Sequence, residues 1–453
     1  MLRKCVWFVG AVFLATSALG HGAVAEGRQA TGIYRIEPAG SVESSLGVWF
    51  PIISGNGRYV AFGSSADNYV GDDTNGTGDV FLYDRSLKNL ARISWSSSGE
   101  QGDGESFSPA ISSDGRFVAF VSKATNFVPV REPGWMNDVY LHDSLLGTTT
   151  LVSANLLGER GNGLGSQEPA ISADGRFVAF VSHASDLVAN DTNDVMDVFV
   201  RDTLESTTER VSITSSGEQA RANCYGVAMS ADARYVAFCS AAGSLTEPTE
   251  GAGIYYHDRW TQETSQVPCS WNELLLSRRP YLSPDGSTLA YLRFRQEMPE
   301  GAGFAHPGCD LVLYDVESGA KSAVIERVAE TSASRQIGEP HFVSFSWDAR
   351  YVAFDSETAF VDDDLSGWRD VYLFDRATVS LSRISMAMAR GDEANGDSSH
   401  PSLSYQGTAA VFVSHSNNLV PSDTNCVADA FMWRSALTEH PVHLPYVRGL
   451  TEP

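Results

Sequence analysis

Three copies of one short acidic string stand out among the residues that could do chemistry. Asp73-Thr74-Asn75 precedes Asp79, Asp191-Thr192-Asn193 precedes Asp197, and Asp423-Thr424-Asn425 precedes Asp429, each in the form D-T-N-x-x-x-D. Asp364 with Asp370, and Glu132 with Asp138, keep two acids at the same spacing. Hard cations such as Ca2+ take six to eight oxygen ligands, which short Asp/Asn loops supply from side chains and carbonyls. A structural Ca2+ held by Asp73, Asn75, Asp79, Asp191, Asn193, Asp197, Asp423, Asn425 and Asp429 is therefore one expectation, although the final Glu of an EF-hand loop is absent. The same residue types also make Asx-turns and cap the entry to a strand. Both readings remain open at this point.

Other candidates are scattered. His341 and His400, with Arg279, Glu339 and Glu168, precede short apolar runs at comparable places. A ring of such groups could polarise a carboxylated sugar or hold a metal, or simply line a pore. Trp135 and Trp368 stand in loops where an exposed ring could stack on a sugar or anchor a protein. No G-x-S-x-G nucleophile elbow occurs. Of six cysteines, Cys5 lies in the N-terminal segment, leaving Cys224, Cys239, Cys269, Cys309 and Cys426. Spacing does not set connectivity; Cys224–Cys239 and Cys269–Cys309 are the pairs that predicted strand positions would allow, with Cys426 left over.

What positions these residues is a repeat. An Asp-Gly-like turn recurs at Asn56-Gly57, Asp114-Gly115, Asp174-Gly175, Asp232-Ala233, Asp285-Gly286, Asp348-Ala349 and Gln406-Gly407. Such a turn between β-branched and aromatic runs is a hairpin signal, because it needs positive φ. The strand after it reads RYVAF or RFVAF in five copies, beginning at Arg58, Arg116, Arg176, Arg234 and Arg350. A later strand recurs as DVFLYD (Asp79–Asp84), DVYLHD, DVFVRD, GIYYHD, DLVLYD, DVYLFD and DAFMWR (Asp429–Arg434). Seven four-stranded units at a fixed period, each too small to bury both faces, predict an all-β, seven-bladed β-propeller of antiparallel blades.

The seventh unit lacks a good fourth strand, since the chain after Arg434 is broken by Pro441 and Pro445. Thr31–Glu37 reads as an orphan fourth strand aligning with Thr208–Ile213. The N-terminal strand is thus predicted to complete the last blade and remove its open edge. The domain expectation is one propeller over residues 26–440 and a tail over 441–453.

The repeat PxISxDGRxVAFxSxAxxLVxxDTNxxxDVFVRD resembles the WD-type repeat of TolB-like bacterial β-propellers, across nearly the whole chain after the N-terminal segment. The resemblance implies the fold; propellers host binding, scaffolding and several chemistries. Two units depart from the pattern: the fourth has no DTN loop and no Asp before GIYYHD, and the fifth carries a long insertion around Met298–Cys309.

Arg3 and Lys4, the apolar run Val6–Leu19 and Ala23-Val24-Ala25 predict a signal peptide over residues 1–25. An exported protein, periplasmic or extracellular, monomeric and without a membrane span, is expected. The formal charge is −24, roughly −26 without the leader, which argues against binding nucleic acid phosphates. The loops elaborated by the chain fall on one predicted face, and acidic d-to-a segments such as Gly99–Glu105 and Arg390–Asp397 gather there. The expectation is a module that binds or scaffolds a protein or glycan partner through that face. The alternative is a carbohydrate-active enzyme, lyase-like or a hydrolase, with its site at the channel mouth.

Overall fold

The computed structural model describes residues 32–37, 43–128, 136–241, 245–246, 252–269, 279–294, 309–325, 342–361, 364–387, 393–421 and 423–435. Within them 28 strands build seven four-stranded antiparallel sheets. The first blade is β2 (Val48–Ile53), β3 (Tyr59–Ser64), β4 (Asp79–Asp84) and β5 (Asn89–Arg92), paired in that order. Five more blades follow the same path, from Ser106–Ile111 onward. The last consists of β26 (Ser398–Leu403), β27 (Ala409–Ser414), β28 (Asp429–Arg434) and, as its outer strand, β1 (Gly32–Arg35). Gly32 pairs with Arg434 and Arg35 with Phe431, so the N-terminal strand closes the ring as predicted.

The VAF triplet explains how blades stack. Strand side chains alternate between faces, so Val118 and Phe120 pack towards the first blade beside Ala61, while Ala119 faces Val178 and Phe180 of the third. The same exchange of a large Phe against a small Ala continues through Ala179 with Phe238 and Ala353 with Phe412. It closes with Val411 against Val60 and Phe62. Hydrophobic burial therefore lies between blades, one cluster per boundary, and no blade has a core of its own.

The inner strands form a closed ring, each blade's first strand meeting those of both neighbours, with β26 against β2. At the end with short turns, a backbone hydrogen-bond circuit ties the blades together. Asn56 N donates to Ser113 O, Ser113 N to Ala173 O, Ala173 N to Ala231 O and Ala231 N to Pro284 O. Asp285 N then donates to Trp347 O, Trp347 N to Tyr405 O, and Tyr405 N to Gly55 O. Proline has no N–H, so Asp285 takes over the donor role beside Pro284.

Among the described residues two ion pairs recur around the ring, one in five blades and the other in six. On the short-turn side Arg58, Arg116, Arg176, Arg234 and Arg350 grip Asp84, Asp143, Asp202, Asp258 and Asp375. Asp84 Oδ1 also accepts from the Ser86 and Leu87 amides, fixing the next turn. The other pair lies at the opposite end.

The cysteine expectation is corrected here. Cys224 pairs in register with Ser240, and Tyr225 with Cys239. The two cysteines lie one position apart on antiparallel strands and so point to opposite faces. Cys224 packs between the third and fourth blades and Cys239 between the fourth and fifth; no disulfide joins them. For Cys269 and Cys309, the Cys309 side chain lies outside the described residues.

Candidate functional site

In each of six blades a guanidinium meets the Asp that opens the third strand, at the end carrying the long loops. Arg92 Nη1 lies 2.9 Å from Asp73 and 3.4 Å from Asp79; Arg210 Nη1 lies 2.8 Å from Asp191 and 3.5 Å from Asp197. In the last blade Arg35, delivered by β1, lies 3.3 Å from both Asp423 and Asp429. Asp364 and Asp370 share Arg383, and Asp310 takes Arg293. In the second blade the strand position of Arg92 is Leu151, and Arg160 from the following loop grips Asp138 instead. The fourth blade has Gly253 in place of the acid, and there the partner position holds neutral Gln266, whose amide lies against that glycine.

The DTN residues are therefore a clamp. Asn75 Nδ2 donates to Asp79 Oδ2 and to Gly102 O, each at 3.0 Å, and Asn193 does the same for Asp197 and Ala220. Asn425 reaches Ser44 O. Burial pushes the Asp79 and Asp197 carboxyls up from their usual range, and those of Asp370 and Asp429 up to about 6, against the pull of the arginines. Among the described residues no group of three or more His, Cys, Asp or Glu could hold a metal ion. The charge beside these carboxylates is a guanidinium, delivered by the next strand of the same blade in Arg92 and Arg210 and by β1 in Arg35.

The second candidate set lies on the inner strands, with a different membership from the one expected. Aligning the seven units on the first-strand pattern X-P-x-φ-S puts Phe50, Ser108, Glu168, Gly226, Arg279, Phe342 and His400 at one level of the ring. Phe342, not His341, matches His400; His341 and Glu339 lie outside the described residues. In the first four blades and the last, this residue opens a β-bulge, where the pairing register slips between Trp49 and Ile52 and at the matching places. The φ angles are positive: 50° for Phe50 and Ser108, 56° for Glu168, 68° for Gly226 and 57° for His400. A bulge of this geometry favours Gly at its first position, and a following Pro pushes the residue before it towards extended backbone. Phe50, Ser108, Glu168 and His400 each precede Pro and are none of them Gly, so each holds a left-handed backbone at a steric cost that Gly would not bear.

Neighbouring members of the ring touch across blade boundaries. The Phe342 and His400 rings are 3.7 Å apart at 31°, and Phe50 meets His400 edge-on at 5.1 Å. Ser399 Oγ lies 2.9 Å from His400 Nδ1. Glu168 accepts the Gly226 amide at 2.7 Å. The bulge lies two residues into the strand from the long-loop end, so the ring sits near that mouth of the axis. The Pro that follows five of the seven ring residues was the sequence signal that could have identified the position. Of the other candidates, Trp368 is partly exposed and Trp135 lies outside the described residues.

No protein-family model matches the chain, and no curated protein is similar to it. Solved structures share its fold. Oligogalacturonate lyase from Vibrio parahaemolyticus superposes with a TM-score of 0.52 at 13% identity, covering 89% of this chain and 93% of the other. An oligogalacturonate lyase in complex with manganese gives 0.53 at 12% identity, covering 89% and 92%. TolB from Acinetobacter baumannii gives 0.39 at 14% identity, covering 85% and 65%. The seven-bladed, four-stranded β-propeller implied by the TolB-like repeat is the fold of this chain.

Proposed function

We propose that this chain is an exported binding module that engages its ligand at the axial ring, from the face carrying the long loops. One observation carries the reading. The clamps, the VAF triplet and the turn circuit repeat from blade to blade, whereas the ring position holds Phe, Ser, Glu, Gly, Arg, Phe and His. A site that the fold needs would repeat; one that varies while storing backbone strain points to recognition. The acidic loops, whose DTN carboxylates are neutralised internally, then serve the blades rather than the partner.

The test needs no ligand. Glycine adopts positive φ without steric cost, so Ser108→Gly and Glu168→Gly should keep or raise the melting midpoint, by on the order of 1 kcal/mol of released strain. A fall of several degrees in both would give the ring to the fold and sink the reading.

An enzyme is the second reading, favoured by His400 in the ring and by the shared fold with oligogalacturonate lyases. Incubation with oligogalacturonate separates the two: chain shortening abolished by His400→Gly supports catalysis, and binding without shortening supports the module.

A further inference from the structure

The ring is not uniform around its circumference, and its asymmetry has a chemical meaning. Four consecutive blades, the fifth to the seventh and then the first, contribute Arg279, Phe342, His400 and Phe50. The last three form a contiguous aromatic surface: imidazole tilted against one phenyl, with a second phenyl edge-on. Phe50 is 40% exposed, and Phe342 and His400 are half-buried, so the surface is open to a ligand. Across the ring lie Ser108, Glu168 and Gly226, with the Glu168 carboxylate held by the Gly226 amide.

Arg279 differs from the clamp arginines. Arg35, Arg92, Arg160, Arg210, Arg293 and Arg383 are each committed to a carboxylate inside a blade. Arg58, Arg116, Arg176, Arg234 and Arg350 are committed to the outer turns. Arg279 is exposed and makes no ion pair with any described residue. In a chain of net charge −24, this guanidinium stands at the same level of the ring as the three aromatic residues. The planar fork of Arg matches a carboxylate with two parallel hydrogen bonds. Aromatic faces take a flat ligand surface, either another π-system or the C–H face of a sugar.

Resting on the axial site proposed above, we propose that the arc Arg279–Phe342–His400–Phe50 binds a carboxylate carried on a flat-faced ring. The guanidinium takes the carboxylate and the three aromatic side chains take the ring face. An aromatic acid and an acidic sugar share this chemistry, and the experiment distinguishes them.

The probes are phenylacetate and methyl glucuronoside, each with its uncharged counterpart, phenylacetamide and methyl glucoside, titrated into the full-length protein and followed by ligand-observed NMR. At least one acid should bind and its neutral counterpart should bind at least tenfold more weakly. Arg279→Gln should weaken the acid tenfold to hundredfold, the range of a charge-assisted hydrogen bond, and leave the melting midpoint unchanged because the side chain is exposed. Preference between the two acids names the source. Acid binding that Arg279→Gln leaves intact overturns the assignment, as does failure of both acids to bind at millimolar concentration. If acid and neutral probes bind equally and His400→Gly abolishes both, the axial site stands and the carboxylate assignment falls. The glycine-substitution melts judge the axial site independently of any probe.

Discussion

At the scale of single residues, Arg92 decides what the acidic loops are for. Its side chain is fully buried between two carboxylates that are themselves at most 4% exposed. Removing one partner of such a pair leaves buried charge uncompensated and costs about 3–5 kcal/mol. Arg92→Ala should therefore lower stability by roughly that amount in chemical denaturation. Arg176 is 37% exposed, solvent screens its pair with Asp202, and Arg176→Ala should cost at most about 1 kcal/mol. Melts in chelator and in millimolar Ca2+ should coincide for the wild-type protein, since a ligand raises the midpoint only by occupying a native site. A Ca2+-dependent rise removed by Asp73→Asn would return these loops to metal chemistry. The acids were legible in the sequence. Their arginine was not, because it stands 13 to 19 residues downstream in Arg92 and Arg210 and close to 400 residues upstream in Arg35.

At the scale of elements, the hairpin turns show why one residue type recurs. Gly175 sits at φ 77°, and a Cβ there would come within 2.2 Å of the Phe117 ring from the preceding blade. Gly115 stands in the same relation to Tyr59. The glycine thus serves a local turn and an inter-blade contact at once. Gly175→Ala should destabilise by about 1–3 kcal/mol through backbone strain and displace Phe117, visible as lost protection from hydrogen exchange at the boundary between the second and third blades. Unchanged exchange there would show that the turn alone requires glycine, as the alanines at 233 and 349 would then suggest. The strands themselves were readable: period-two runs, the turn pairs and the VAF triplet put all four strands of the regular blades in place. The bulge was not read, although X-Pro marks it in four of the five bulged units, because the strands are only six residues long and the change of phase at the extra residue leaves too few positions on either side to show it.

At the scale of the whole molecule, β1 is a structural keystone. It covers the outer edge of β28, whose backbone groups would otherwise be open to pairing with another chain, and it delivers Arg35 to Asp423 and Asp429. Deleting residues through Glu37 should lower the melting midpoint further than Arg35→Ala does, and should produce self-association seen by light scattering. A truncated protein that melts normally and stays monomeric would show that the ring closes without this strand.

The sequence by itself determined the number of blades, their strand order and the closing role of Thr31–Glu37, because those follow from local periodicity, turn chemistry and the counting of repeats. Tertiary structure decided which charges meet, which face each cysteine takes and which seven residues share a level of the axis. The charge pairs depend on how strands of one blade register against each other and, for Arg35, on the meeting of the two ends of the chain; the cysteine faces and the shared level depend on the packing of neighbouring blades and on a single-residue slip in register.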